Sequence, residues 1–84
     1  MTLLWSSGVI IRVWCHPDGT PARMRWQGQG HGVQIIANEW RIDLGWWRLR
    51  IWRDYYKLLT TTGLLMIVYH DLLTDLWYLQ RVYD

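Results

Sequence analysis

Apolar and polar residues alternate singly along most of this chain, the two-residue period of half-buried β-strands rather than the 3.6 period of a helix. Val9, Ile11, Val13 and Cys15 share one face of a first strand, with Ile10, Arg12 and Trp14 on the other. Residues 16–21, His-Pro-Asp-Gly-Thr-Pro, concentrate turn formers and predict a chain reversal. Ala22, Met24 and Trp26 then alternate with Arg23 and Arg25, a strand with an apolar inner face and a basic outer one. Residues 27–32 hold three glycines and read as a loop. That segment lacks the lysine and the following helix that a phosphate-binding loop requires.

Further along, Val33 and Ile35 are in one phase while Ile36, Trp40 and Ile42 are in the other, which predicts a bulge over residues 36–38. Asp43-Leu44-Gly45 reads as a turn. Trp47, Leu49 and Ile51 then point inward and Trp46, Arg48 and Arg50 outward, with a bend or bulge expected at Arg53-Asp54. A strand over residues 55–60 is joined through Thr61-Thr62-Gly63 to residues 64–69, apolar on both faces and therefore central in the sheet. Residues 71–75 form a polar-ended loop with room for a single helical turn. Leu72, Leu73, Leu76 and Leu79 have near-helical spacing, but Trp77-Tyr78 and the terminal Val-Tyr favour a strand over residues 76–83. The predicted class is all-β: an antiparallel meander of about six strands, curled into a small barrel or roll. It forms one domain over residues 1–84, with residues 1–8 as an edge or frayed segment.

Composition sharpens this picture. The 84 residues include eight tryptophans and five tyrosines but no phenylalanine. An indole buries a large apolar surface while its N–H still needs an acceptor, so it suits a half-wet core or an interface. Phase assigns Trp26 and Trp47 to the core and turns Trp40 inward with Ile42. It leaves Trp14 and Trp46 among arginines, and Trp52 undecided at the expected bend. Cys15, the single cysteine, excludes an internal disulfide, fits a reducing cytosol, and by its phase is a buried, inert thiol. The start of the chain has no basic segment and only a short apolar run, unlike a signal peptide. The apolar run at residues 64–69 is far below the roughly 20 residues of a membrane span. A soluble cytoplasmic protein with no membrane partner is the expectation.

Charge is unevenly spread within a net +2. Residues 1–53 set seven arginines against three carboxylates, leaving +4, whereas residues 54–84 set two cations against four aspartates, leaving −2. Eight of the nine basic residues are arginine, which stacks on aromatic rings and grips phosphate or carboxylate in a two-pronged fashion. Catalytic chemistry is not expected. Cys15 and His16 are adjacent and so point to opposite faces of a strand, and the histidines and cysteine have no metal-ligand spacing. The carboxylates sit singly at turns. What remains is a basic-aromatic pattern in which Arg23, Arg25, Trp46, Arg48, Arg50 and Trp52 are the candidate binding residues. Interleaved Arg and Trp on a β surface serves single-stranded nucleic acid by stacking and phosphate contact, and equally serves protein interfaces. The same residues also suit an outer strand kept soluble by its arginines, or a sheet that buries its surplus indoles against a second copy of itself.

Several segments carry a more specific likeness. Asp18-Gly19, Pro21, Arg23-Met24, Trp26 and Gly28 are followed by Trp40-Arg41-Ile42-Asp43, Gly45-Trp46-Trp47 and Arg53-Asp54-Tyr55-Tyr56-Lys57-Leu58. Asp71 and the closing Trp77-Tyr78-Leu79-Gln80-Arg81-Val82-Tyr83-Asp84 complete the set. Over about residues 16–84 the chain resembles the small domain of unknown function at the C-terminus of some bacterial ImuB-like Y-family translesion polymerase subunits, which also occurs as short free-standing proteins. The resemblance implies an accessory role in DNA repair through binding protein or DNA. It supplies no catalytic residues and no cofactor. With no polymerase domain in this chain, the expectation is that it acts in trans or does something else entirely. Binding a protein partner is the first expectation, single-stranded nucleic acid the second and homo-oligomerisation the third.

Overall fold

A computed structural model describes residues 2–83, except for the side chains of Ser6 and Trp46. Six antiparallel strands follow in chain order: β1 (Leu3–Cys15), β2 (Pro21–Trp26), β3 (Gln29–Trp46), β4 (Leu49–Thr60), β5 (Leu65–Asp71) and β6 (Leu76–Tyr83). Each pairs with the next, and β1 also pairs with β6, so the ladders run around a closed ring. No helix among the described residues is long and apolar enough to cross a membrane.

The ring closes because two long strands change partners midway. β1 pairs with β6 from Leu3 to Ile11 and with β2 from Arg12 to Cys15. β3 pairs with β2 as far as Gly32 and with β4 from Val33 onward. A small three-stranded sheet (β1–β2–β3) and a larger five-stranded one (β3–β4–β5–β6–β1) therefore share two strands, the way orthogonally packed sheets turn their corners. The core lies between them. Ile11, Met24, Leu58, Met66, Val68, Trp77, Leu79 and Val82 are buried there with Tyr56, and Trp5 and Trp26 pack on it edge to face with ring centroids 6.2 Å apart. Val9 and Val13 pack on the same core, as the phase of β1 predicts.

The core has one polar corner. His31 Nδ1 and Thr62 Oγ1 share a hydrogen bond of 2.6 Å, and Thr62 Oγ1 lies 2.8 Å from Thr60 Oγ1, which accepts from the Leu64 amide at 3.0 Å. These bonds fasten the start of β3 to the β4–β5 turn, and Thr61 N adds another by donating to Gly32 O at 2.8 Å.

Part of the outer face of the larger sheet is covered by its own aromatic side chains, with Tyr55 and Tyr69 buried and Trp40 and Tyr78 half-buried. Trp40, Tyr55, Tyr69 and Tyr78 are direct cross-strand neighbours on β3, β4, β5 and β6. Their rings follow one another at 5.3, 5.0 and 4.9 Å between centroids. Such pairs are the stabilising unit of a sheet, and aromatic ones contribute beyond the area they bury. Arg53 caps the row with its guanidinium carbon 4.5 Å from the Tyr69 ring centre. Tyr69 is only 2% exposed and donates its hydroxyl to Ser7 O at 2.6 Å. Gly8 completes this seal. It adopts φ +82° where the β1–β6 ladder is irregular, and an added Cβ would lie 3.0 Å from Tyr78 Cβ and 3.2 Å from Tyr69 Cε2.

Several expectations from the sequence hold. The bulge falls where phase reversal places it, with register shifts between Val33 and Ile35 and between Ile36 and Asn38. β5 is central and β6 is a strand, and residues 72–75 are a turn with one helical bond, Asp75 N to Asp71 O at 2.8 Å. Other expectations are corrected. Residues 27–32 are not a loop: Gln27 and Gly28, both at positive φ, make a two-residue hairpin turn and Gln29 already begins β3. Asp43-Leu44-Gly45 stays inside β3, and the reversal comes at Trp47-Arg48. β4 runs straight through Arg53-Asp54 without a bulge. Of the segment 1–8 read as an edge or frayed stretch, Leu3 onward belongs to β1, and Met1 lies outside the described residues. Trp40 lies on the outer face against Tyr55 instead of turning inward.

Two measurements test the seal. Gly8→Ala should cost ~2–4 kcal/mol in urea unfolding, because a left-handed backbone and a tight contact are both penalised. Gly19→Ala, also at positive φ but in open space, should cost about 1 kcal/mol. Burial also raises the Tyr69 hydroxyl above its ordinary pKa of 10.0, with Arg53 partly offsetting this, and burial raises Tyr56 likewise. A raised folded pKa gives stability that is complete below the unfolded value and lost as pH climbs through the folded one. The melting temperature should therefore hold between pH 7 and 9 and fall above about 10.

Candidate functional site

The pattern that singles out Arg23, Arg25, Trp46, Arg48, Arg50 and Trp52 divides between two places. Arg23 faces Gly32 across the β2–β3 ladder, whereas Arg50 faces Gly45, thirteen residues further along β3. At the rise of an extended strand that is roughly 40 Å of chain. No single surface contains all six residues.

The first place is an arm. β5 reaches β4 only as far as Arg53↔Asp71, with Leu72 N donating one more bond to Trp52 O at 2.9 Å. Beyond it the pairs Asp43↔Trp52, Leu44↔Ile51, Gly45↔Arg50 and Trp46↔Leu49 form a two-stranded ribbon with no third strand. Alternation gives the ribbon two unlike faces. One carries Asp43, Gly45, Arg50 and Trp52. Here Arg50 Nη2 lies 3.1 Å from Asp43 Oδ1, and the guanidinium carbon of Arg50 sits 5.1 Å from the Trp52 ring centre, with that of Arg41 at 6.0 Å. Arg41 itself holds Asp54 in a two-pronged bond at 2.6 and 3.1 Å, which raises the arginine's pKa further. The charges of this face are largely matched within it.

The opposite face presents Ile42, Leu44, Leu49 and Ile51. Leu44 is 61% and Leu49 64% exposed. At the tip Trp47 is 82% exposed, with the Arg48 guanidinium 4.5 Å from its ring centre. Trp47 and Leu49 are thus not core residues. The turn lies at Trp47-Arg48, so the strand that phase pointed inward projects past the body. Trp46 closes the ladder opposite Leu49, and its side chain lies outside the described part of the structure. Trp52 sits inside β4, half-buried between two arginines. At the base of the arm Glu39, Trp40, Arg41, Asp54, Tyr55 and Tyr56 line a half-open cleft of about 280 Å³.

The second place is the outer face of the small sheet. Arg12 stands opposite Arg25, and Trp14 opposite Arg23. Both Arg12 and Arg23 place their guanidinium carbons 5.4 Å from the Trp14 ring centre, and Trp14 is 42% exposed. Among the described residues none of these three arginines has a carboxylate within salt-bridge distance. The candidate set drawn from sequence lacks Arg12 and Trp14, although both alternate outward on β1. Only the β1–β2 register shows that they meet Arg23 and Arg25.

The remaining reactive groups are spread apart. Cys15 is exposed instead of buried, because the β1–β2 register slips between Trp14 and Cys15 and ends the inward phase of β1. Partial burial of its thiol, together with the negative charges of Asp75 and Asp18, raises its pKa. Asp18 is occupied by its own turn, accepting from Thr20 Oγ1 at 2.6 Å and Thr20 N at 3.0 Å, and these bonds lower its pKa. His70 bonds Asp75 Oδ1 at 2.7 Å and stacks on Trp77 at 4.5 Å, while Asp71 accepts from the Leu73 amide. The described residues contain no group of three His, Cys, Asp or Glu side chains able to hold a metal. Comparison with protein families, curated proteins and solved structures finds no match for this chain.

A thiol held above its ordinary pKa is mostly protonated at neutral pH and a poor nucleophile. Alkylation of Cys15 by iodoacetamide, followed by mass spectrometry, should be slower in the folded protein than in urea. Its pH–rate midpoint should lie above that of the denatured chain. Equal midpoints would show that only access, not charge, protects the thiol.

Proposed function

We propose that this chain is a non-catalytic binding module that docks on a protein partner through the β3–β4 arm. The resemblance of residues 16–84 to the C-terminal domain of ImuB-like subunits supports a bacterial translesion polymerase assembly as the partner, and with it a cytoplasmic setting. The observation that carries the reading is the unlike character of the arm's two faces. On one, Arg41 and Arg50 already have carboxylate partners, which leaves little charge to attract a polyanion. On the other, Leu44 and Leu49 hold apolar surface in water beside the exposed Trp47. Aromatic anchors flanked by arginine are typical of the few residues that dominate a protein interface. A two-stranded ribbon that contributes nothing to the core is otherwise an unfavourable exposure of apolar side chains.

Arg48, Arg50 and Trp52 are the contact residues on the charged side and tip of the arm, and Leu44, Leu49 and Trp47 are those on the apolar side; Trp46, the remaining candidate from the sequence, has its side chain outside the described residues. The double variant Leu44→Asp/Leu49→Asp should change unfolding stability by about 0.5 kcal/mol or less, since both side chains are exposed. Surface plasmon resonance against the purified subunits of a translesion polymerase assembly should show binding by the parent and at least a ten-fold loss in the double variant. If the parent binds none of the subunits, or both proteins bind alike, the reading fails. Light scattering supplies the alternative outcome. A mass above 10.2 kDa that the same variant abolishes would assign the apolar face to self-association.

A further inference from the structure

The three arginines of the small sheet are arranged against their own electrostatic interest. Like charges directly opposite each other across an antiparallel pair are destabilising, yet Arg12 and Arg25 are such a pair, and Arg23 joins them across Trp14. The arm solves the same problem with aspartates; here no carboxylate among the described residues is close enough. The neighbouring strand clears space for these groups. The outward positions of β3 next to Arg23 and Arg25 are Gly32 and Gly30. A Cβ on Gly30 would lie 3.1 Å from Arg23 Nη2, so the bare backbone allows the guanidinium to lie across β3. Arg25 reaches back over the hairpin turn to Gly28 O at 3.5 Å. The result is a row of exposed, forked donors around a half-open indole.

We propose that this face, formed by Arg12, Trp14, Arg23 and Arg25, binds single-stranded nucleic acid, a site separate from the arm and independent of it. Phosphates take the forked guanidinium groups, which have no counter-charge among the described residues, and a base stacks on the exposed part of Trp14. An acidic peptide satisfies the charges but makes no use of the flat indole surface, so the strand that carries both phosphates and bases fits better. Three phosphate contacts on a single strand give a log–log salt slope of about −2. Raising salt from 50 to 200 mM should therefore weaken binding about 15- to 20-fold.

The test uses fluorescence anisotropy with a fluorescein-labelled oligo-dT of about twelve nucleotides, a length within the range one small β domain covers. The parent protein should bind at 50 mM salt and show the slope above. Arg12→Gln, Arg23→Gln and Arg25→Gln should each reduce the slope by about 0.7, and Trp14→Ala should weaken binding about ten-fold at unchanged slope. Melting curves of each variant identify any that fail to fold. Arg25→Lys, which keeps the charge on the same strand, should retain the slope and serves in place of an unfolded Gln variant. Leu44→Asp/Leu49→Asp should bind the oligonucleotide like the parent, which separates this site from the arm. No binding at 50 mM salt would overturn the proposal. So would equal affinity for polyglutamate of the same charge with no effect of Trp14→Ala, which would make the face a general polyanion or acidic-peptide site.

Discussion

The structure depends on the exchange of partners by β1 and β3. A six-stranded antiparallel sheet of this length, with no helix to pack on it, has two faces and nothing to cover either. By handing β1 from β6 to β2 at Ile11–Arg12, and β3 from β2 to β4 at Gly32–Val33, the sheet folds over its own inner face. The turn chemistry follows from this. β2 is only six residues long because it bridges two corners, and its fully buried Met24 fills much of the small sheet's share of the core. The bulges in β3 come just after its corner, where extra local twist is required.

Folding over solves only one face. The other is partly covered by rings stacked one on the next across four strands, with the Arg53 guanidinium laid over Tyr69 and a glycine at the point where rings and backbone meet most closely. Aromatic residues thus do two jobs in this chain. Trp5, Trp26, Trp77 and Tyr56 fill the interior, while Trp40, Tyr55, Tyr69 and Tyr78 act as a substitute for a missing second layer. That division explains why so small a chain carries so many rings without exposing most of them.

Much of this was legible in the sequence, and what was missed has a physical reason. Period-two alternation, the Pro-Asp-Gly turn, the Thr-Thr-Gly turn and the phase reversal at Ile36 are local signals, and local signals identified the class, the bulge and the last two strands. The arm was obscured because Asp43-Leu44-Gly45 has turn composition. Yet Trp40, Ile42, Leu44 and Trp46 keep one phase without a break, and Leu49 and Ile51 repeat it in mirror order beyond Trp47-Arg48. Weighing phase above composition would have placed the turn correctly. Cross-strand register is a different matter. Arg12 lies thirteen residues before Arg25, and nothing local says that they end up opposite each other. Which arginines are matched by carboxylates is likewise a property of pairing, so the binding surfaces were legible as residue types but not as places.

Past the Trp52 rung, which still accepts one bond from Leu72 N, the arm is paired only with itself. Each further rung pairs its two strands alone, and none of its residues belongs to the core. Removing or adding residues symmetrically about Trp47-Arg48, two on each strand, would preserve which face is apolar and leave the ring untouched. The reach of this protein toward whatever it touches is therefore a nearly independent variable. It can lengthen or shorten in descent by small paired insertions while the body that carries it stays the same.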